Sequence, residues 1–147
     1  MNKYKIYLDI CTYNRPFDVQ SQIKVRLETE AKLFIQAGIK SCVYSMVWSF
    51  MHDYENTASP YEEQRKSIGI WEDFAIELCP SSGDIHSLAN DLAKLGLKPK
   101  DALHIACAVK SDCDYFITTD KKLLNKTVEG IKIVNPIDFI DETEGLT

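Results

Sequence analysis

Apolar and polar residues along this chain alternate between two periods, short strand-like runs and helix-like stripes. Tyr4–Leu8 reads as a first strand that ends at Asp9. A loop with Asn14-Arg15-Pro16 follows, and Asp18 is placed to cap a helix. Ile23, Leu27, Ala31, Phe34 and Ile35 fall on one face of that helix, which should stop at Gly38. A short strand is expected over 40–44, then a helix capped by Ser45 and running to about Asn56. Beyond Pro60, the residues Ile68, Trp71, Phe74 and Ala75 form another helical stripe, and a strand over 76–79 ends at Pro80. Ile85, Leu88, Ala89 and Leu92 mark a further helix that closes around Gly96. Pro99 suits a first helical turn, and Ala102, Ile105, Ala106 and Val109 supply the buried face behind it. Residues 115–118 read as a strand, followed by Asp120 and a short helix with Leu123 and Leu124. Residues 131–134 form the last strand, and Pro136 opens a final short helix.

Strands alternating with helices predict an α/β fold with an open, mainly parallel sheet of about five strands, covered on both faces. In such sheets a ligand site lies outside the carboxyl ends of the strands, where the strand order reverses. The length of 147 residues fits one domain over 1–147, with a short acidic tail from about 141. The cysteines number five and include no CxxC pair, so neither a disulfide framework nor a zinc site is expected. No secretory signal or membrane-spanning run is read, which points to a cytoplasmic protein that does not engage a membrane. The net charge of −5 argues against binding nucleic acid through a broad basic face. It leaves a nuclease open, because a carboxylate site is negative until cations fill it.

Asp9 directly follows an apolar strand, which puts its carboxylate at the carboxyl edge of the sheet. Asp120 comes two residues after Ile117-Thr118, in the same kind of position, and Asp101 lies in the first turn after Pro99. Carboxylates from separate segments can therefore converge on one edge. Like charges a few ångströms apart repel, so such a cluster calls for a hard cation. Oxygen donors without cysteine or a clear histidine partner favour magnesium or manganese over zinc. That ion would suit phosphodiester hydrolysis. Each residue has a plainer use as well. Asp101 complements the helix dipole by about 0.3–1 kcal/mol, Asp120 can cap the next helix, and Asp9 can close a turn.

Tyr7-Leu8-Asp9, Lys100-Asp101-Ala102-Leu103-His104-Ile105-Ala106 and Phe116-Ile117-Thr118-Thr119-Asp120 together resemble the three motifs of PIN domains. They stand in the family's order and span nearly the whole chain. The middle motif is the most specific, because it joins an aspartate to a set apolar and alanine pattern. The resemblance implies a Rossmann-like three-layer fold and a Mg2+ or Mn2+ site that cuts single-stranded RNA as an endoribonuclease. Many PIN proteins of this length are VapC-type toxins of type II toxin–antitoxin pairs, so a protein antitoxin and a homodimer are implied too. Asp9, Asp101 and Asp120 carry over as metal ligands, direct or through water. The family's fourth acidic residue falls on Asp53 or Glu55, which lie about 200° apart on an ideal helix, so that both are not expected to face the site. Tyr54-Glu55-Asn56 resembles a subgroup pattern and favours Glu55 as the fourth catalytic residue.

Arg15 could contact a substrate phosphate, or be a solvated loop arginine. Thr118 or Thr119 could bind water or substrate at the site, or merely close the strand. Lys98, Lys100, Lys121 and Lys122 flank the acidic motifs as an RNA path or as ordinary surface lysines. His104, three residues after Asp101, could be a general base but reads better as a packed residue behind the site. His52 and His86 read as surface residues. Trp48, Phe50, Met51, Tyr54 and Trp71 are expected in the core, with some left for an interface.

A catalytically inactive PIN-like module that binds RNA or protein is the alternative function. A phosphoryl-transfer domain on a similar sheet fits poorly. The haloacid dehalogenase pattern needs an aspartate where Cys11 stands, and a receiver needs an acidic pair near the first strand. No GxGxxG or GxxxxGK[ST] loop is present to cradle a nucleotide.

Overall fold

In the computed structural model, which describes residues 3–144, the central strands are rich in apolar residues and largely buried. Strands β1 (Tyr4–Leu8), β2 (Tyr44–Ser49), β3 (Glu77–Cys79), β4 (Tyr115–Ile117) and β5 (Lys132–Val134) form one sheet in the order β3-β2-β1-β4-β5. Every pairing is parallel. The fold is α/β, as the alternation of periods predicts.

Helices α1 (Ile10–Asn14), α2 (Ile23–Lys40), α3 (Phe50–Thr57), α4 (Glu62–Gly69), α5 (Gly83–Ala93), α6 (Pro99–Lys110), α7 (Lys121–Leu124) and α8 (Pro136–Glu144) make the crossovers and flanks. Successive strand residues point to opposite faces, which divides the core in two. Tyr7, Val47 and Phe116 face α5 and α6, among Ile85, Leu92 and Ile105. Ile6, Leu8, Met46, Trp48 and Ile117 face the other way, among Tyr13, Ile35, Trp71 and Phe139.

Several elements differ from their sequence reading. The segment after Asp9 is the helix α1 rather than a loop, and a 3-10 turn over Arg15–Phe17 continues it. Asp18 ends that turn and caps no helix; α2 starts five residues later, at Ile23. Within α2, Ala31 and Ile35 are buried, but Ile23, Leu27 and Phe34 are 71%, 50% and 49% exposed. The packed face runs instead through Val25, Glu28, Lys32, Ile35, Gln36 and Ile39. The second strand lies at 44–49, not 40–44, and Ser49 rather than Ser45 caps the helix after it. Asp141 to Glu144 continue α8, so the acidic tail is helical to that point, and residues 145–147 lie outside the described part.

Candidate active site

The strand order runs 3-2-1 in one direction and 4-5 in the other, so it reverses between β1 and β4. That is where a parallel sheet opens a crevice at its carboxyl edge. Asp9 ends β1 there as the N-cap of α1, its Oδ1 accepting from the Ile10 N–H at 2.8 Å. Register pairs Leu8 with Ile117, which brings Thr118 alongside Asp9. The Thr118 hydroxyl donates to Asp9 Oδ2 at 2.8 Å and accepts from the Asp120 N–H at 3.1 Å. One buried hydroxyl thus ties the first acidic position to the last. Asp120 caps α7, taking the Lys122 N–H at 2.9 Å.

Asp101 stands at the third position of α6, after Pro99. Burial, and then the charges of Asp9 and Asp120, raise its pKa; His104 and Lys98 pull against this. The three aspartates therefore lie within electrostatic reach of one another. They do not form a ready ligand set: among the described residues no three His, Cys, Asp or Glu side chains stand close enough to hold a metal ion. A cleft of about 470 Å³ is lined by Glu55, Asp101 and Asp120 together with Lys98, Pro99 and Lys100.

Of the alternatives on α3, Glu55 reaches this cleft and Asp53 does not. Asp53 accepts from the Trp48 indole N–H at 2.9 Å, on the side of β3. Glu55 is held by His104, whose Nε2 lies 2.7 Å from Oε1. A carboxylate only accepts, so Nε2 carries the hydrogen, and in the neutral ring Nδ1 accepts from the Tyr7 phenol at 2.5 Å. Tyr7 in turn takes the Ser49 hydroxyl proton at 2.7 Å, and Ser49 takes the Met51 N–H at 3.2 Å. Burial pushes the Tyr7 phenol well above its usual range, so it remains a donor. This relay runs in one direction from the end of β2 to the cleft. His104 is packed behind the site, as its sequence setting suggests.

Arg15, read as a candidate phosphate contact, is engaged elsewhere. Its Nε and Nη2 donate to Glu28 Oε1 at 3.0 and 2.8 Å, and its Nη1 to Asp18 at 2.8 Å. Glu28 is fully buried, and a buried carboxylate needs such a partner. Thr119 is buried, and its N–H donates to Cys11 Sγ. Sequence reasoning missed Cys11, which donates to Asp9 Oδ2 at 3.3 Å. Burial and the adjacent Asp9 push that thiol up to about 12, so it stays protonated.

His52 corrects another expectation. His86 is exposed, but His52 is fully buried, with Nε2 donating to the Leu8 carbonyl at 2.6 Å and Nδ1 accepting from the Ser49 N–H. Burial first, and then the charge of His104, lower its pKa from 6.5 to about 3. The unfolded chain takes up this proton near pH 6.5 and the folded one only near 3. The stability it confers is thus present above pH 6.5 and lost as pH falls from there toward 3. Urea titrations between pH 7 and 4 are expected to show a loss steeper than in His52→Gln, by up to about 1.4 kcal/mol per pH unit. Equal slopes in the two proteins would remove His52 as the cause.

No protein-family model matches the chain, and no curated protein matches it significantly in sequence. Among solved structures, a chain of VapBC2 from Rickettsia felis, bound to a DNA fragment from its promoter, has the same fold. The match covers 89% of this chain and 98% of that one, at TM-score 0.57 and 16% identity. At that identity the likeness is one of architecture, and chemistry has to be argued from the site.

Proposed function

We propose that this protein is a metal-dependent endoribonuclease of the PIN type that hydrolyses phosphodiester bonds of single-stranded RNA. The observation that carries this reading is the meeting of Glu55, Asp101 and Asp120, from three separate segments, in one cleft. The fold shared with the VapBC2 chain supports it.

The donor set fits Mg2+ or Mn2+ in its chemistry, since it consists of carboxylate oxygens. Asp9, Asp101 and Asp120 would hold the ion, with Glu55 as the fourth acid. When bound, such an ion lowers the pKa of water and offsets charge on the phosphodiester. The chain's own part is orientation. Thr118 and the Ile10 N–H fix both oxygens of Asp9, and His104 fixes Glu55. Lys98 and Lys100 at the cleft offer positive charge to the substrate.

In this reading the chain is a VapC-type toxin that acts in the cytoplasm as a homodimer restrained by a protein antitoxin. VapBC2 is itself a complex bound to promoter DNA. Exposed Ile23, Leu27 and Phe34 on α2 leave an apolar surface for protein contact. Among the described residues no helix is long and apolar enough to cross a membrane.

A second reading, a PIN-like module that binds RNA or protein without cutting, is favoured by the spacing of the acidic side chains, which do not form a ready ligand group. Cleavage of a mixed RNA panel with magnesium, manganese or EDTA separates the two. The nuclease is expected to cut single-stranded members with either ion and to stop in EDTA. Protein that neither cuts nor binds manganese would leave the binding module standing.

A further inference from the structure

A second pocket, of about 380 Å³, adjoins the carboxylate cleft and shares Lys98 and Asp101 with it. It lies between the turn before α6 and the end of α7, where Lys122, Asn125 and Lys126 complete its wall. Three lysines thus line one small space with one aspartate at its border.

Among the described residues Lys98, Lys122 and Lys126 have no carboxylate within 4.0 Å, as is also true of Lys24, Lys40, Lys110 and Lys121. The chain carries 22 acidic residues against 17 basic ones, so general basicity does not explain the cluster. Gathering like charges in a concave site costs free energy unless an anion offsets it, and it focuses the field on one.

The backbone accommodates this arrangement. Gly96 has φ +95°, and a Cβ there would stand 3.3 Å from Lys126 Nζ. The Lys126 ammonium therefore lies against Gly96, at the pocket wall, and its side chain is half-buried. No aromatic residue lines the pocket, so it can grip charge but offers no platform for stacking bases.

We propose that this pocket is a phosphate subsite, in which Lys98, Lys122 and Lys126 hold a backbone phosphate of single-stranded RNA beside the bond to be cut. The choice of RNA rests on the nuclease reading; the affinity for phosphate does not. Among the lysines around the acidic motifs, this selects Lys98 and Lys122 and adds Lys126. Lys100 instead lies over the Tyr54 ring.

The test is binding rather than cleavage. A labelled 2′-O-methyl oligonucleotide, which a ribonuclease cannot cut, is titrated in EDTA over a salt series. Wild type is compared with Lys122→Gln/Lys126→Gln and with Lys24→Gln/Lys66→Gln, which makes the same charge change on α2 and α4. Losing the one phosphate contact is expected to flatten the plot of log K against log salt by about 0.7, with weaker binding at low salt. The α2/α4 variant is expected to match wild type. Equal losses in both variants would reduce the effect to bulk charge and overturn the subsite, as would a pocket variant that binds like wild type. Thermal melts show whether each variant is folded. Strands with a 5′-phosphate and a 5′-hydroxyl separate the two sources of phosphate. Equal affinity supports a backbone phosphate, and dependence on the terminal group overturns that assignment. Because nothing is cut, an inactive enzyme leaves this result readable.

Discussion

On the nuclease proposal, Asp9→Asn is expected to lower RNA cleavage about a thousandfold, since a carboxylate-held ion would supply several kcal/mol to the transition state. The fold should hardly notice. The asparagine side chain keeps an oxygen for the Ile10 N–H, which Asp9 accepts at 2.8 Å. The new amide would then face Thr118, whose hydroxyl, 2.8 Å away in the native protein, can rotate to accept. Shape and most hydrogen bonds survive while the negative charge goes. Single-turnover cleavage and a thermal melt, run side by side, check both halves. Activity within tenfold of wild type, in a variant that melts normally, would remove Asp9 from the reaction.

Phe116→Ala carries the largest expected loss of stability, about 3–5 kcal/mol for a buried aromatic truncated to alanine. For a chain of this length that corresponds to a melting temperature lower by roughly 10 °C. Phe116 is fully buried on β4, which pairs with both β1 and β5. Its ring stacks on Tyr7 with centroids 5.3 Å apart and planes 13° apart. A cavity there frees the ring whose phenol orients His104. The variant should therefore cut RNA more slowly even at temperatures where it remains folded. Urea unfolding gives the stability and cleavage at 20 °C the second effect. A normal cleavage rate in the folded variant would show that the relay tolerates slack.

The positions of Asp9 and Asp120 are legible because β1 and β4 each end in buried apolar residues followed by polar ones. Asp101 was legible through Pro99, which marks the start of α6. The second strand lies four residues beyond its sequence expectation for a related reason. Tyr44–Ser49 is nearly all buried, and such a run carries no alternation to separate it from a helix. On α2 the apolar period picked out exposed residues, because half of the packed face is polar. Glu28 can occupy it only through Arg15, thirteen positions away, and periodicity does not register that pairing. His52 lay equally out of view: its partner is the Leu8 carbonyl, 44 positions distant. Thr118 and Cys11 meet Asp9 through the register of β1 on β4. That register is a three-dimensional fact, and a single sequence does not state it. Of the two acids on α3, Glu55 lines the cleft, while Asp53 is bonded to the Trp48 indole.

On the nuclease proposal, the parallel sheet also decides when during synthesis the acidic site could first be complete. β1 is made first, yet one of its two partners in the sheet is β4, more than a hundred residues later. Until that strand has left the ribosome and docked, Asp9 lacks its Thr118 clamp, and Asp120 does not yet exist in the chain. Long-range pairing of this kind forms late in folding. Nascent chains and fragments truncated before β4 would thus be harmless to RNA, including the message being translated. On the same proposal, a restraining partner gains the whole interval of translation in which to be present.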